Sequence, residues 1–124
     1  MFESDFTREF MGEVLLEKVN FSRATTREAL LFKERILDVI LRGHIKIIID
    51  LSFCSFIDST FLGALVLIHK RLKEKGGELK IIKPNKNIVD LFEHVGLYKL
   101  FNSYPAIDDA IKSFAVSESV LNEQ

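Results

Sequence analysis

Tryptophan is absent, cysteine occurs once, proline occurs twice, and neither sign of charge dominates. The single Cys54 has no partner for an internal disulfide, which removes the disulfide-stapled scaffolds and makes a reducing, cytoplasmic setting the expected one. No base is set beside it, so Cys54 reads as a small packed hydrophobe rather than a nucleophile. The longest charge-free apolar run, Phe61 to Ile68, is far short of the roughly 20 residues that a membrane span requires. No positively charged leader precedes an apolar core. Seventeen Lys and Arg stand against eighteen Asp and Glu, a formal charge of -1, so no overall field draws the protein toward nucleic acid or anionic lipid. Neither kind of partner is expected. The densest basic run, "HKRLKEK" from His69 to Lys75, falls at the end of a predicted helix, where cations complement the dipole and face water.

Apolar residues are plentiful. Of 124 residues 48% are hydrophobic and eleven are Phe, enough for one core of ordinary size and too few for two. One domain is expected over residues 1–115. The segment 116–124 is expected to be a flexible tail, because "SESVLNEQ" lacks the periodicity to dock.

Along the chain, "DFTREF" and "EVLLEKV" flank Met11-Gly12 as the two arms of a hairpin. Thr25 and Glu28, three apart, form a capping box, and the helix they open runs at 3.6-residue spacing until Gly43. "IKIIIDL", Ile45 to Leu51, is short, β-branched and almost continuously apolar, the pattern of a central strand covered on both faces. After a Ser52 to Ile57 connection, a helix runs to Gly76 and Gly77. "ELKIIK" is a strand stopped by Pro84, Asn87 opens the helix "IVDLFEHVG", a short strand covers Tyr98 to Phe101, and a last helix follows Pro105. The order β-β-α-β-α-β-α-β-α predicts an α/β layer fold with a mixed sheet of about five strands, parallel where helices cross over. Function in such sheets gathers where strand ends meet helix starts.

Phosphate-cradling glycine motifs are missing, so no nucleotide cofactor is expected. His44, His69 and His94 read as surface or boundary side chains, and none lies three or four residues from another His or Cys, so no metal site is expected. Ser59 lacks the G-x-S-x-G turn and has no nominated base, which argues against an enzyme. What remains is "FIDSTFLGAL", Phe56 to Leu65, in which Asp58, Ser59 and Thr60 precede an apolar helix. A helix cap accounts for one of the three. The other two either cluster there as polar residues do at helix starts, or one of the hydroxyls is read by a partner.

"IIIDLSFCSFIDSTFLGAL" resembles the signature of anti-sigma factor antagonists, the STAS domains of bacterial partner-switching systems: an apolar strand ending in Asp-Leu, then Asp-Ser-Ser/Thr-Gly-Leu-Gly on a helix start. The similarity continues through "GGELKIIKPNKNIVDLFEHVGLYKLF" and back through "FSRATTREA", from about Asp5 to Phe114. The resemblance implies a single STAS-like domain and makes Ser59 the phosphate acceptor, with Thr60 a minor alternative. It implies a serine-kinase anti-sigma factor of the histidine-kinase ATPase type as partner, and a metal-dependent serine phosphatase that reverses the modification. The unmodified form would bind the kinase and free the sigma factor. By the same likeness Asp58, Thr60, Phe61 and Leu62 would meet the partner, as would the loop of Asn20, Phe21, Ser22 and Thr25, for which ordinary turn and cap duty is the other reading. Gly63 would let the helix pack closely on the sheet or on the partner, the sheet being favoured.

Phe61 departs from the pattern, since the family more often has Gly there. It is either an exposed anchor for a different kinase or a filler of the core. Two other readings stand beside this one. The first keeps the fold without the switch, as an unregulated STAS subunit of a signalling scaffold or a transporter-associated complex. The second is a receiver domain phosphorylated on Asp50. That chemistry needs Mg²⁺ held by further carboxylates, and "EVLLEKV" leads into Asn20-Phe21 instead of an acidic pair.

Overall fold

Three consecutive isoleucines, Ile47, Ile48 and Ile49, are wholly buried in the central strand, although successive side chains point to opposite faces of a sheet. Both faces must therefore be covered. In a computed structural model, which describes residues 5–82, 84–96 and 100–122 with the side chains of the last helix through residue 114, they are. The strands are β1 (Phe6–Met11), β2 (Val14–Val19), β3 (Arg23–Ala24), β4 (Lys46–Asp50), β5 (Phe56–Ile57), β6 (Glu78–Ile82) and β7 (Asn102–Tyr104). The helices are α1 (Thr26–Leu41), α2 (Ser59–Glu74), α3 (Lys86–His94) and α4 (Ile107–Asn122).

The main sheet runs β1-β2-β4-β6-β7. The β1–β2 hairpin is antiparallel and every other pairing is parallel, so the sheet is mixed and five-stranded, as expected. Ile47 and Ile49 join the larger core with Phe32 and Ile36 of α1, Phe61 and Leu65 of α2, and Phe92 of α3. Ile48 faces the other way, into a smaller core closed by Ala110 and Phe114 of α4. Each buried isoleucine contributes about 1.5–3 kcal/mol, enough to make β4 the sheet's anchor.

The turn from α2 into β6 depends on Gly77, where a Cβ would collide with the carbonyl of Ile45. Glu78 N–H then donates to that same carbonyl at 2.9 Å, which starts the β4–β6 pairing.

Several boundaries differ from expectation. Asn85, rather than Asn87, caps α3, its side chain accepting Ile88 N–H at 3.2 Å, because Pro84 stops the strand just before it. The last strand is Asn102–Tyr104 rather than Tyr98 to Phe101; Phe101 is buried just ahead of it and Tyr98 lies outside the described residues. The last helix, expected to end near Phe114, continues to Asn122. His69 is buried rather than at the boundary, edge-on to Phe101 at 5.8 Å, and burial pushes its pKa down. Two strands were not anticipated. β3 and β5 form a separate parallel pair, Arg23 opposite Phe56 and Ala24 opposite Ile57, that ties the segment before α1 to the segment before α2.

Candidate functional site

That small pair brings two helix starts together. Asp58 N–H donates to the Ala24 carbonyl at 3.1 Å, and Ser55 N–H and Phe56 N–H donate to the Ser22 carbonyl at 2.7 and 3.1 Å. The backbone before α2 is thus fastened to the backbone before α1, and both helices point their N–H groups at one surface. Helix N-termini carry partial positive charge, so such a surface suits an anion, and the Asp58 carboxylate is the first to use it.

Asp58 is the N-cap of α2, and its Oδ1 accepts Phe61 N–H at 2.9 Å. Its other oxygen reaches across to α1, where Oδ2 accepts Thr26 N–H at 2.7 Å and the Thr26 hydroxyl at 3.0 Å. One carboxylate caps one helix and ties down the first residue of another. Slight desolvation works to raise its pKa, but the bonds from Phe61, Thr26 and Thr60 outweigh it and hold the carboxyl below the usual range. Thr60 Oγ1 lies 2.9 Å from Thr26 Oγ1. Ser59, the first helical residue, is exposed, and among the described residues nothing hydrogen-bonds its hydroxyl.

The remaining sequence candidates divide. Thr25 caps α1 as expected, with its N–H and hydroxyl donating to Glu28 Oε2 at 3.0 and 2.8 Å, and it is half-buried. Asn20 is exposed and closes the hairpin end, Nδ2 donating to Thr7 Oγ1 at 2.6 Å. Phe21 packs edge-on against Phe6 at 5.2 Å and is half-buried, while Ser22 is exposed. Phe61 and Leu62 do not belong to a contact surface. Phe61 is 0% exposed and stacks on Phe32 with ring centroids 4.7 Å apart, and Leu62 is buried in the same core, so a partner cannot touch either without opening the fold. Their positions in the first turn of an amphipathic helix turn them toward the sheet. Gly63 faces solvent, and a Cβ there would meet nothing, so close packing on the sheet is not its role.

Three features were missed. Thr26 lies 32 residues from Asp58 and 34 from Thr60, and no short-range pattern links residues so far apart. Arg23 lies over the Phe56 ring at 4.2 Å, a contact created by the β3–β5 pair. A groove of about 360 Å³ runs between α1 and α2 beside Thr60, with Ala29, Leu30, Lys33, Gly63 and Leu67 on its walls. Elsewhere, Asp50 accepts Ser52 N–H at 2.9 Å, an ordinary turn contact. Cys54 is wholly buried, and burial, followed by the Asp50 charge, pushes its thiol up to about 12, so it is inert at neutral pH. Among the described residues no helix is long and apolar enough to cross a membrane.

The STAS domain family model matches residues 24–110. A Thermotoga neapolitana protein, named as a candidate anti-sigma factor antagonist and homologue of TM1081, is 32% identical over 83 residues, covering 66% of this chain and 74% of its own length. The crystal structure of Thermotoga maritima TM1081, described in the same terms, superposes with a TM-score of 0.80 at 25% identity, covering 87% of this chain and 92% of that one. SpoIIAA of Bacillus, solved in its phosphorylated form, superposes with a TM-score of 0.71 at 20% identity, over 88% of this chain and 98% of that one.

Proposed function

The chain belongs to the STAS domain family, and from that premise we propose that it is an anti-sigma factor antagonist whose binding is switched off by phosphorylation of Ser59. The unmodified protein binds a serine-kinase anti-sigma factor of the histidine-kinase ATPase type in the cytoplasm and releases that kinase's sigma factor. A metal-dependent serine phosphatase restores the binding form. The protein itself performs no catalysis. The observation that carries the reading is the free, exposed hydroxyl of Ser59 at the mouth of α2, beside a carboxylate whose bonds are already committed to two helix starts.

The names of the relatives support the role, and SpoIIAA, which shares the fold, has been solved phosphorylated. The physics is compatible. A phosphate adds about -1.5 to -2 charges, which the positive ends of two helix dipoles offset at an exposed position without disturbing the scaffold. A docked protein surface loses that tolerance, because burying the charge without a partner group costs about 3 kcal/mol, roughly a hundredfold in affinity. Phe61 does not oppose the reading. Its ring points into the core, so replacing the family's usual Gly leaves the approach to Ser59 unobstructed from that side.

The test is to mix the protein with a candidate serine-kinase anti-sigma factor from the same organism and ATP, and to map the phosphate. Wild type should gain phosphate at Ser59, whereas Ser59→Ala should gain little and stay bound. Ser59→Asp should bind about a hundredfold more weakly with an unchanged circular dichroism spectrum. Equal affinity of Ser59→Asp and wild type would sink the switch.

A further inference from the structure

Two adjacent hydroxyls, Ser59 and Thr60, stand in the first turn of α2 and are both exposed. Exposure therefore gives no ground for modifying one over the other. Their bonding differs. The Ser59 hydroxyl has no partner among the described residues, while Thr60 Oγ1 lies 2.9 Å from Thr26 Oγ1, which is itself 3.0 Å from Asp58 Oδ2. A hydroxyl carries one proton, and an ionised carboxylate only accepts and is the stronger acceptor. The Thr26 hydroxyl reaches both acceptors and is shared between Asp58 Oδ2 and Thr60 Oγ1, which ties the Thr60 oxygen to Thr26. The chain Thr60 to Thr26 to Asp58 is fixed at its far end, because Asp58 also accepts Thr26 N–H and Phe61 N–H.

The geometry points to Thr26 as the residue that selects between these two hydroxyls as phosphate acceptor, by holding Thr60 against α1 and leaving Ser59 the freer of the pair. Thr26 is a positioning residue. The inference rests on Ser59 being the acceptor of a kinase and adds the reason the choice falls there. In the transfer the hydroxyl oxygen bonds the γ-phosphorus of ATP, the bond from that phosphorus to the ADP oxygen breaks, and the hydroxyl proton passes to a base on the kinase. Ser59 can turn its oxygen toward the phosphorus with no internal bond to lose. Thr60 must first break from Thr26, and a β-branched side chain has few helical rotamers in which to present its oxygen elsewhere.

Wild type, Thr26→Val and Thr26→Ser separate the possibilities. Valine keeps the shape and the N–H bond to Asp58 but removes the hydroxyl, and serine restores it. The first measurement needs no kinase: three-bond couplings of the Thr60 side chain in solution should report one rotamer in wild type and Thr26→Ser, and averaging in Thr26→Val. The second is incubation with a serine-kinase anti-sigma factor from the same organism, shown beforehand to bind the wild type, and magnesium ATP, followed by fragment mass spectrometry. Phosphate should stay on Ser59 in wild type and Thr26→Ser, and the Thr60 share should rise roughly two- to tenfold in Thr26→Val, the weight of one net hydrogen bond. An averaged Thr60 in wild type, or a Thr26→Val product confined to Ser59, overturns the selection role and leaves the proposed function standing. A wild type that takes no phosphate overturns both.

Discussion

Asp58 holds two helix starts with one carboxylate, and that double duty sets what its replacement should do. Asp58→Ala removes a cap, worth about 0.5–2 kcal/mol, and also frees the Thr26 N–H and hydroxyl. A loss at or above the upper end of that range is expected in urea titrations at pH 7. Its pKa is held below the ordinary 3.8, so the folded state favours the ionised form. The stability it contributes is fully present above pH 3.8 and disappears as pH falls through the lowered folded value. The gap between wild type and Asp58→Asn should therefore be constant near neutrality and close below about pH 4, and a gap that survives unchanged to lower pH would show that the charge is not what matters. The choice of Asp58 came from the structure, whereas the capping box of Thr25 with Glu28, and a cap among Asp58, Ser59 and Thr60, were legible in the sequence because caps are local and recur at fixed spacing. Thr26 was not, since its partners are assembled only when α1 and α2 dock side by side.

Phe61 decides how those two helices meet. Its ring stacks on Phe32 of α1 with an interplanar angle of 24°, in the same core as Ile47 and Ile49. The resemblance alone could not say whether this aromatic, standing at a usual glycine, faced a partner or the core. Its spacing to Leu65 and Ile68, which it joins on one helical face, is the signal that points inward. Restoring the family's usual residue should therefore damage this protein. Phe61→Gly is expected to lose about 3–5 kcal/mol for the emptied core site, plus about 1 kcal/mol for glycine in a helix. Chemical denaturation reads the loss directly, and a change under 1 kcal/mol would mean that the ring is not packed as described. The long elements were legible because their apolar periods run for several turns or a whole strand. The β3–β5 pair was not, since strands of two residues have no period to read. Yet it is this pair that fastens the Ser22 segment beside Ser59.

The arrangement of layers follows from chain direction. Strands β2, β4, β6 and β7 lie side by side in sequence order, and right-handed crossovers between successive parallel strands put α1, α2 and α3 on one face. The helix after β7, α4, folds back onto the other face. The sequence predicted that both faces of β4 are covered, but the assignment of helices to faces needed the strand order. One consequence is an uneven molecule. Among the described residues, the face carrying the Ser59 surface has the larger core, whereas α4 is held by Ala110, Phe114 and the flanking Ile107 and Ile111, with Lys80 Nζ bonded to Ser113 Oγ at 2.7 Å and Tyr104 Oη at 3.1 Å. Among the described residues, burial of Phe114 and partial burial of Ile107 and Ile111 stabilise α4 by several kcal/mol, and the larger core lies in the opposite layer. Helix α4 should therefore open without global unfolding. Native-state hydrogen exchange is expected to show lower opening energies for the amides of Ile111 to Phe114 than for those of Ile47 to Ile49, and Phe114→Ala should widen that difference while leaving kinase binding at Ser59 unchanged. If both sets of amides exchange with the same energy, or if Phe114→Ala weakens binding in proportion to its loss of stability, the two faces act as one unit and α4 is part of the switch.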